Sequence, residues 1–170
     1  MAKRKVLIPL DGSEYSRQIL PHVQAWLKPD EHDLILLRVS EPPQGLTRGS
    51  HPTRSENVQL PEFDSSADAD IAAHPIYQSQ KMESAISELT DALGPERELL
   101  EAAGYAVSIE IRFGHAAPEI NQCAADTSAD MIAMTTHARA GLERLMAGSV
   151  ASDVIHRATV PVLLYRPHDA

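Results

Sequence analysis

Two short stretches of this 170-residue chain hold residues whose types and spacing could handle a small polar ligand. The first is Ile8-Pro9-Leu10-Asp11-Gly12-Ser13, an apolar run that stops at a carboxylate. An acid at a strand end can accept hydrogen bonds from a ribose or a base amine, as acidic residues do in dinucleotide folds. The same Asp11, or Ser13, can equally cap a helix that begins near Glu14. The second stretch is Met134-Thr135-Thr136-His137-Ala138-Arg139-Ala140-Gly141, followed by Leu142–Ala147 and then Gly148-Ser149. Gly148 lets backbone amides approach an anion, and Ser149 opens a helix whose first amides point outward. A phosphate could sit there without help from lysine. Gly-Ser ahead of a helix is also an ordinary N-cap.

The elements that must position these stretches are read from apolar patterning. Lys5–Leu10, Asp33–Val39, Ala106–Ile111, Met131–Thr135 and Val162–Tyr165 are short, nearly continuous apolar runs, the pattern of parallel strands covered on both faces. Helical spacing lies between them. Ser13–Leu27 puts Ile19, Leu20, Val23 and Leu27 on one face, and Met82–Ala103 does the same with Ile86, Leu89, Leu93, Leu99 and Leu100. Gly94-Pro95 interrupts the latter and predicts a kink or the meeting of two helices. Shorter helices are expected at Ala117–Thr127, with Pro118 in its first turn, and at Ser149–Arg157. Strand–helix alternation implies right-handed crossovers and an open parallel sheet with helices on both faces. In such sheets ligands gather beyond the carboxyl ends of the strands, where the winding reverses. Periodicity does not say whether the first and fourth strands are neighbours.

The bulk properties narrow the function. The length suits one domain, 1–170, with a real core; at 4% aromatic content that core must rest on aliphatic residues. A net charge of −9 argues against nucleic acid, which needs clustered Lys and Arg. The one cysteine, Cys123, shares an apolar helix face with Ile120 and Ala124, so a packed thiol in a reducing compartment is expected. The start lacks the longer apolar core of a signal peptide, and no stretch reaches the roughly 20 apolar residues of a membrane span. The expected location is cytoplasmic. The eight histidines are dispersed without the spacing of a zinc site. No P-loop, nucleophile elbow or His-Glu-x-x-His motif occurs, which favours binding over turnover. Glu41–Gln78 stands apart: five prolines, two glycines and isolated apolar residues make it a long insertion, either mobile or packed on the domain or a partner.

The stretch from Asp130 to Tyr165, together with Pro9-Leu10-Asp11-Gly12-Ser13, resembles the universal stress protein family. The family pattern after the fourth strand is Gly-x-x-Gly, nine residues, then Gly with Ser or Thr. Here Ala138, nine residues, Gly148 and Ser149 keep that spacing, and Thr136-His137, Gly141-Leu142, Arg144-Leu145, Val150-Ala151 and Val160-Pro161-Val162-Leu163 match as well. The resemblance covers everything except Glu41–Gln78. It implies a five-stranded parallel sheet of order 3-2-1-4-5, with ATP, accompanied by Mg²⁺, at the junction of the first and fourth strands. By matching position, Pro9 and Asp11 would meet ribose or base, and Val39 the adenine through its backbone. Met134 to Ala138, with Thr135 and His137 among them, would line the ribose and phosphate path, and Gly148, Ser149 and Val150 would hold the phosphates. His137 and Arg139 could screen phosphate charge or pin the loop as surface groups, a structural hydrogen bond being the expected role of His137. The family dimerises through its last strand, here Val160–Tyr165.

Two glycines of the nucleotide pattern are replaced, by Thr135 and Ala138. A Cβ is a small obstacle where φ is negative and a serious one where it is positive. The leading expectation is an ATP-binding stress-response regulator or sensor with little or no turnover. Its competitors are a nucleotide-free dimeric scaffold that recruits a protein through 41–78, and a slow ATPase.

Overall fold

A computed structural model of the chain describes residues 2–43, 75–136 and 149–167, with 75–78 and 149 described by their backbone alone. The chain divides into two units, Met1–Glu41 with Leu89–Ala170, and Pro42–Glu88. The sheet, its core and the cavity discussed below belong to the first. Within the second, the described residues from Pro75 onward are helical.

In chain order the elements are β1 (Arg4–Pro9), α1 (Glu14–Arg17), α2 (Leu20–Trp26), β2 (His32–Ser40), α3 (Pro75–Ala92), α4 (Gly94–Ala102), β3 (Ala106–Phe113), α5 (Ala116–Asp126), β4 (Met131–Thr135), α6 (Ser149–Arg157) and β5 (Val162–Tyr165). The strands form a five-stranded parallel sheet ordered β3-β2-β1-β4-β5. β1 and β4 are therefore neighbours, with Val6 opposite Met131 and Leu7 opposite Ile132. No helix among the described residues is long and apolar enough to cross a membrane.

The continuous apolar runs are explained by two covered faces. Along β2, Leu34 and Leu36 join Val6, Ile8, Ile19, Val23 and Leu100 in the core layer on the side of α2 and α4. Ile35 and Leu37 join Leu7, Ile120, Cys123 and Val154 in the layer beneath α5 and α6. Each fully buried Leu or Ile contributes roughly 1.5–3 kcal/mol through removal from water. Cys123 is one of these packed residues, and burial pushes its thiol up from the usual range.

Two helical stretches differ from the patterning, both at prolines. The expected single helix over Ser13–Leu27 divides at Gln18 and Ile19, whose amides reach back only three residues, to Tyr15 O and Ser16 O. Pro21 has no N–H to give, and its ring would strike the Arg17 carbonyl in a continuous helix. It sits instead in the first turn of α2. The Gly94-Pro95 interruption separates α3 from α4, with Leu93 as the junction. α3 begins at Pro75 rather than Met82, so the last residues assigned to the insertion are helical; a proline is at home in a first turn, where no N–H is required. Residues 44–74 of that insertion, with its expected partner surface, lie outside the described residues.

The delivery of β4 beside β1 depends on a local turn. α5 ends at Thr127, and Ser128 takes the left-handed conformation at φ 53°. That conformation lets Ser128 N–H bond Ala125 O at 3.1 Å and Ala129 N–H bond Ala124 O at 2.9 Å. Asp130 is then aligned with β1: its N–H donates to Lys5 O, and its carboxylate accepts from Lys5 N–H, each at 2.8 Å. Ser128→Gly should raise unfolding free energy by about 1 kcal/mol, because glycine occupies this region without the penalty a Cβ carries. Denaturant unfolding at unchanged m-value checks this, and an unaltered or lower midpoint contradicts it.

Candidate functional site

β1 hands the chain to α1 and α2 on one face of the sheet, whereas β4 leads to α6 on the other. Between the carboxyl ends of these neighbouring strands the sheet parts into a crevice. A cavity of about 270 Å³ opens there, close to the lower end of the range of small-molecule pockets.

Its lower wall is apolar, built from Pro9, Leu37, Val39 and Met134 at the strand ends. Ala116 and Ile120 close it from α5, and Val150 and Ala151 from the first turn of α6. The polar lining comes from Asp11, Ser16, Thr135 and Thr136, of which Ser16 and Thr136 are buried. The cavity thus combines a dry surface for a flat ring with a carboxylate and hydroxyls, beside the start of a helix, where amides carry a partial positive charge.

Both readings of Asp11 have counterparts in the geometry. Its Oδ1 accepts from Ser13 N at 2.9 Å and from Ser13 Oγ at 2.6 Å. Ser13 Oγ in turn accepts from Ser16 N at 3.1 Å, so Ser13 is the N-cap of α1 and Asp11 braces the cap. The residue nevertheless stays exposed and lines the cavity. Tyr15 Oη donates to the Thr136 carbonyl at 2.7 Å, tying α1 to the end of β4 across the crevice.

The backbone at Val39 follows from strand parity. Leu37 O faces β1, where it accepts Leu10 N–H at 2.9 Å, and Ser40 O faces β3, where it accepts Gly114 N–H at 2.9 Å. Val39 has the parity of Leu37, so its amide and carbonyl face the space that β1 vacates when it turns at Asp11. Thr135 lies in β4 without a positive φ. Its Cβ costs no backbone strain, and the residue lines the cavity.

Of the residues singled out from the sequence, Pro9, Asp11, Val39, Met134, Thr135 and Val150 come together around this cavity. Ser149 begins α6 beside it. His137, Ala138, Arg139 and Gly148 lie outside the described residues. Sequence reasoning missed Leu10, Ser16, Leu37, Ala116, Ile120 and Ala151. Leu37 could have been found by its two-residue spacing from Val39, which puts both on one face; the alanines carry no signal of their own.

A family model described as the universal stress protein family matches residues 3–166. The chain belongs to this family. Among curated universal stress proteins, Slr1230 from a Synechocystis strain is 31% identical over 74 residues, 44% of this chain and 26% of that protein. MJ0577 from Methanocaldococcus jannaschii is 27% identical over 167 residues, 96% of this chain and 94% of that one. The solved structure of MJ0577 superposes over all of both chains with a TM-score of 0.65 at 23% identity. A universal stress protein family structure from Arabidopsis thaliana, At3g01520 with AMP bound, covers 97% of this chain and 92% of its own, with a TM-score of 0.56 at 14% identity. At these identities the two structures establish the shared fold.

Burial alone would raise the Asp11 carboxyl, but the hydrogen bonds from Ser13, with the nearby Ser16 hydroxyl and the Arg38 charge, outweigh it and hold the group below the usual carboxylate range. A carboxyl lowered by folding stabilises the fold above its unfolded value, and that contribution fades as pH falls through the folded value. The stability gap between wild type and Asp11→Ala should therefore stay flat around neutrality and narrow in acid below the usual carboxylate range. Urea titrations across pH measure it; a gap that widens on acidification refutes the assignment.

Proposed function

We propose that this universal stress protein binds an adenine nucleotide, ATP in the leading reading, and acts as a stress-response regulator or sensor with little or no turnover. The observation that carries the reading is the cavity at the β1–β4 switch point, lined by apolar strand ends together with Asp11 and the first turn of α6. The base would lie against Leu37, Ile120 and Met134, with the Val39 backbone at its edge. Asp11 would accept from the ribose hydroxyls. The phosphates would run toward the α6 N-terminus, where backbone amides supply the positive potential that a chain of net charge −9 does not provide in bulk. His137, Ala138, Arg139, Gly148 and Ser149 belong to that phosphate path in this reading. The AMP bound to the Arabidopsis relative supports the ligand class.

Among the described residues no three His, Cys, Asp or Glu side chains gather to hold a metal. A Mg²⁺ arriving with ATP would be carried chiefly by phosphate oxygens and water, its usual ligands. Asp11, already engaged by Ser13 and held in its ionised form, is a weak proton acceptor, which favours retention of nucleotide over hydrolysis.

Calorimetry with ATP and AMP tests the reading directly. Heat and a thermal shift are expected for wild type, and Ala116→Phe, which projects a ring into the cavity from the half-buried start of α5, should abolish both while leaving a cooperative melt. No heat and no shift at millimolar nucleotide would remove nucleotide binding and leave the nucleotide-free scaffold.

We also propose a homodimer formed through the last strand, Val160–Tyr165. β5 ends the sheet and pairs on one side with β4. Pro161 O and Tyr165 O face β4, accepting Ile132 N–H at 3.0 Å and Thr136 N–H at 2.9 Å. Val162 and Leu164 thus turn their backbone groups to the open edge, which a second copy can cover about a two-fold axis. Leu164→Pro removes an outward donor and leaves the β4 pairing in place. It should shift the protein from dimer to monomer by light scattering, and a variant still dimeric at the same concentration refutes this interface.

A further inference from the structure

Arg38 is not among the residues that line the cavity of the proposed site. Leu34 and Leu36 join the core layer on the side of α2 and α4, while Ile35, Leu37 and Val39 point to the other layer, Leu37 and Val39 as cavity walls. Side chains alternate along a strand, so Arg38 leaves β2 on the face opposite those two walls. Its guanidinium ends against the back of the β1–α1 turn. Nη1 lies 3.4 Å from the Leu10 carbonyl, and a Cβ placed on Gly12 would fall within 2.6 Å of the same nitrogen. Gly12, at φ +83°, meets two demands at once: a left-handed backbone and room for the cation. The buried Nε has no hydrogen-bond partner among the described residues, an uncompensated group that a surface arginine would avoid by turning to water.

We infer that Arg38 is a positioning residue for the ribose contact: it grips the β1–α1 turn from the far face of the sheet and fixes the direction of the Asp11 carboxylate. The inference rests on the nucleotide reading above. Asp11 is held between two anchors, the Leu10 carbonyl bound by Arg38 on one side and the Ser13 hydrogen bonds on the other. Without the guanidinium, the turn loses its backing at Gly12, the residue with the most backbone freedom. The carboxylate then samples directions that no longer meet the ribose hydroxyls, while the apolar wall for the base is untouched. A lysine would not substitute well, since a single ammonium cannot present the fork whose Nη1, Cζ and Nη2 all lie within 3.3 Å of where a Cβ on Gly12 would be.

The test compares wild type with Arg38→Met, and with Arg38→Gln should the methionine variant lose its cooperative melt. Calorimetry is run on ATP and on 2′,3′-dideoxy-ATP, which lacks the hydroxyls that Asp11 would hold. Amide exchange of Ser13 is followed in nucleotide-free protein. ATP affinity should fall by about tenfold, the size of one charge-assisted hydrogen bond, while dideoxy-ATP affinity stays unchanged and Ser13 exchanges faster. Unchanged ATP affinity, or an equal loss on both nucleotides, overturns the positioning role. If wild type binds neither nucleotide, the functional reading fails by itself; accelerated Ser13 exchange then still supports the grip on the turn, and unchanged exchange overturns it.

Discussion

Past Leu10 the chain leaves β1 for one face of the sheet, and past Thr135 it leaves β4 in a direction that brings α6 onto the other. Since the two strands are neighbours, backbone hydrogen bonding cannot continue across the gap between their ends. That constraint is topological, and side chains can line the gap but not remove it. The rest of the site follows. The strand ends supply walls, the turn after β1 supplies a carboxylate, and the first turn of α6 closes the opening with Val150 and Ala151. The pairing that creates the gap is secured far from it, at the opposite end of the strands, where Asp130 and Lys5 exchange two hydrogen bonds below the left-handed Ser128.

The turns that border the crevice are tied to the frame by contacts that do not enter it. Tyr15 bonds the Thr136 carbonyl, Arg17 pairs with the buried Glu96 of α4, and Arg38 backs Gly12. A short helix such as α1 has little stability of its own. Its orientation is set by the Ser13 cap, by Tyr15 and by the Arg17–Glu96 pair, which places the cap and Asp11 together.

How much of this was legible in the sequence depends on the range of the interaction. Met131–Thr135 and Val162–Tyr165 were found to the residue because both faces are covered and every position is apolar enough to register. The fold class follows from the alternation of such runs with helical spacing. The break at Gln18-Ile19 was masked by apolar residues in helical phase on both sides of it, although Pro21 was there to read. Strand order is non-local, so patterning left the β1–β4 contact open and only the family resemblance placed it. In the site, Asp11 and Met134 carry their chemistry or their strand position openly. Ile120 and Ala151 look like ordinary core residues, and only the crossing of α5 and α6 over the sheet makes them walls. Arg38 sits in an apolar strand, and its contact with the β1–α1 turn joins residues 28 positions apart in sequence.

The replacement of glycine by Thr135 bears on what the cavity can admit, and its meaning turns on backbone conformation more than on size. At a left-handed position, a threonine would have forced the strand end to reshape and drawn the wall inward. In β4 it keeps extended geometry and pairs in register with Tyr165 of β5, so the strand end keeps its course beside the dry wall of Leu37, Ile120 and Met134. The substitution therefore exchanges a bare backbone for a hydroxyl and a methyl at the strand end without straining it. In the nucleotide reading proposed above, a site of this lining would hold a flat ring through its apolar strand ends and leave the choice of sugar to its polar residues, Asp11 and Thr135 among them.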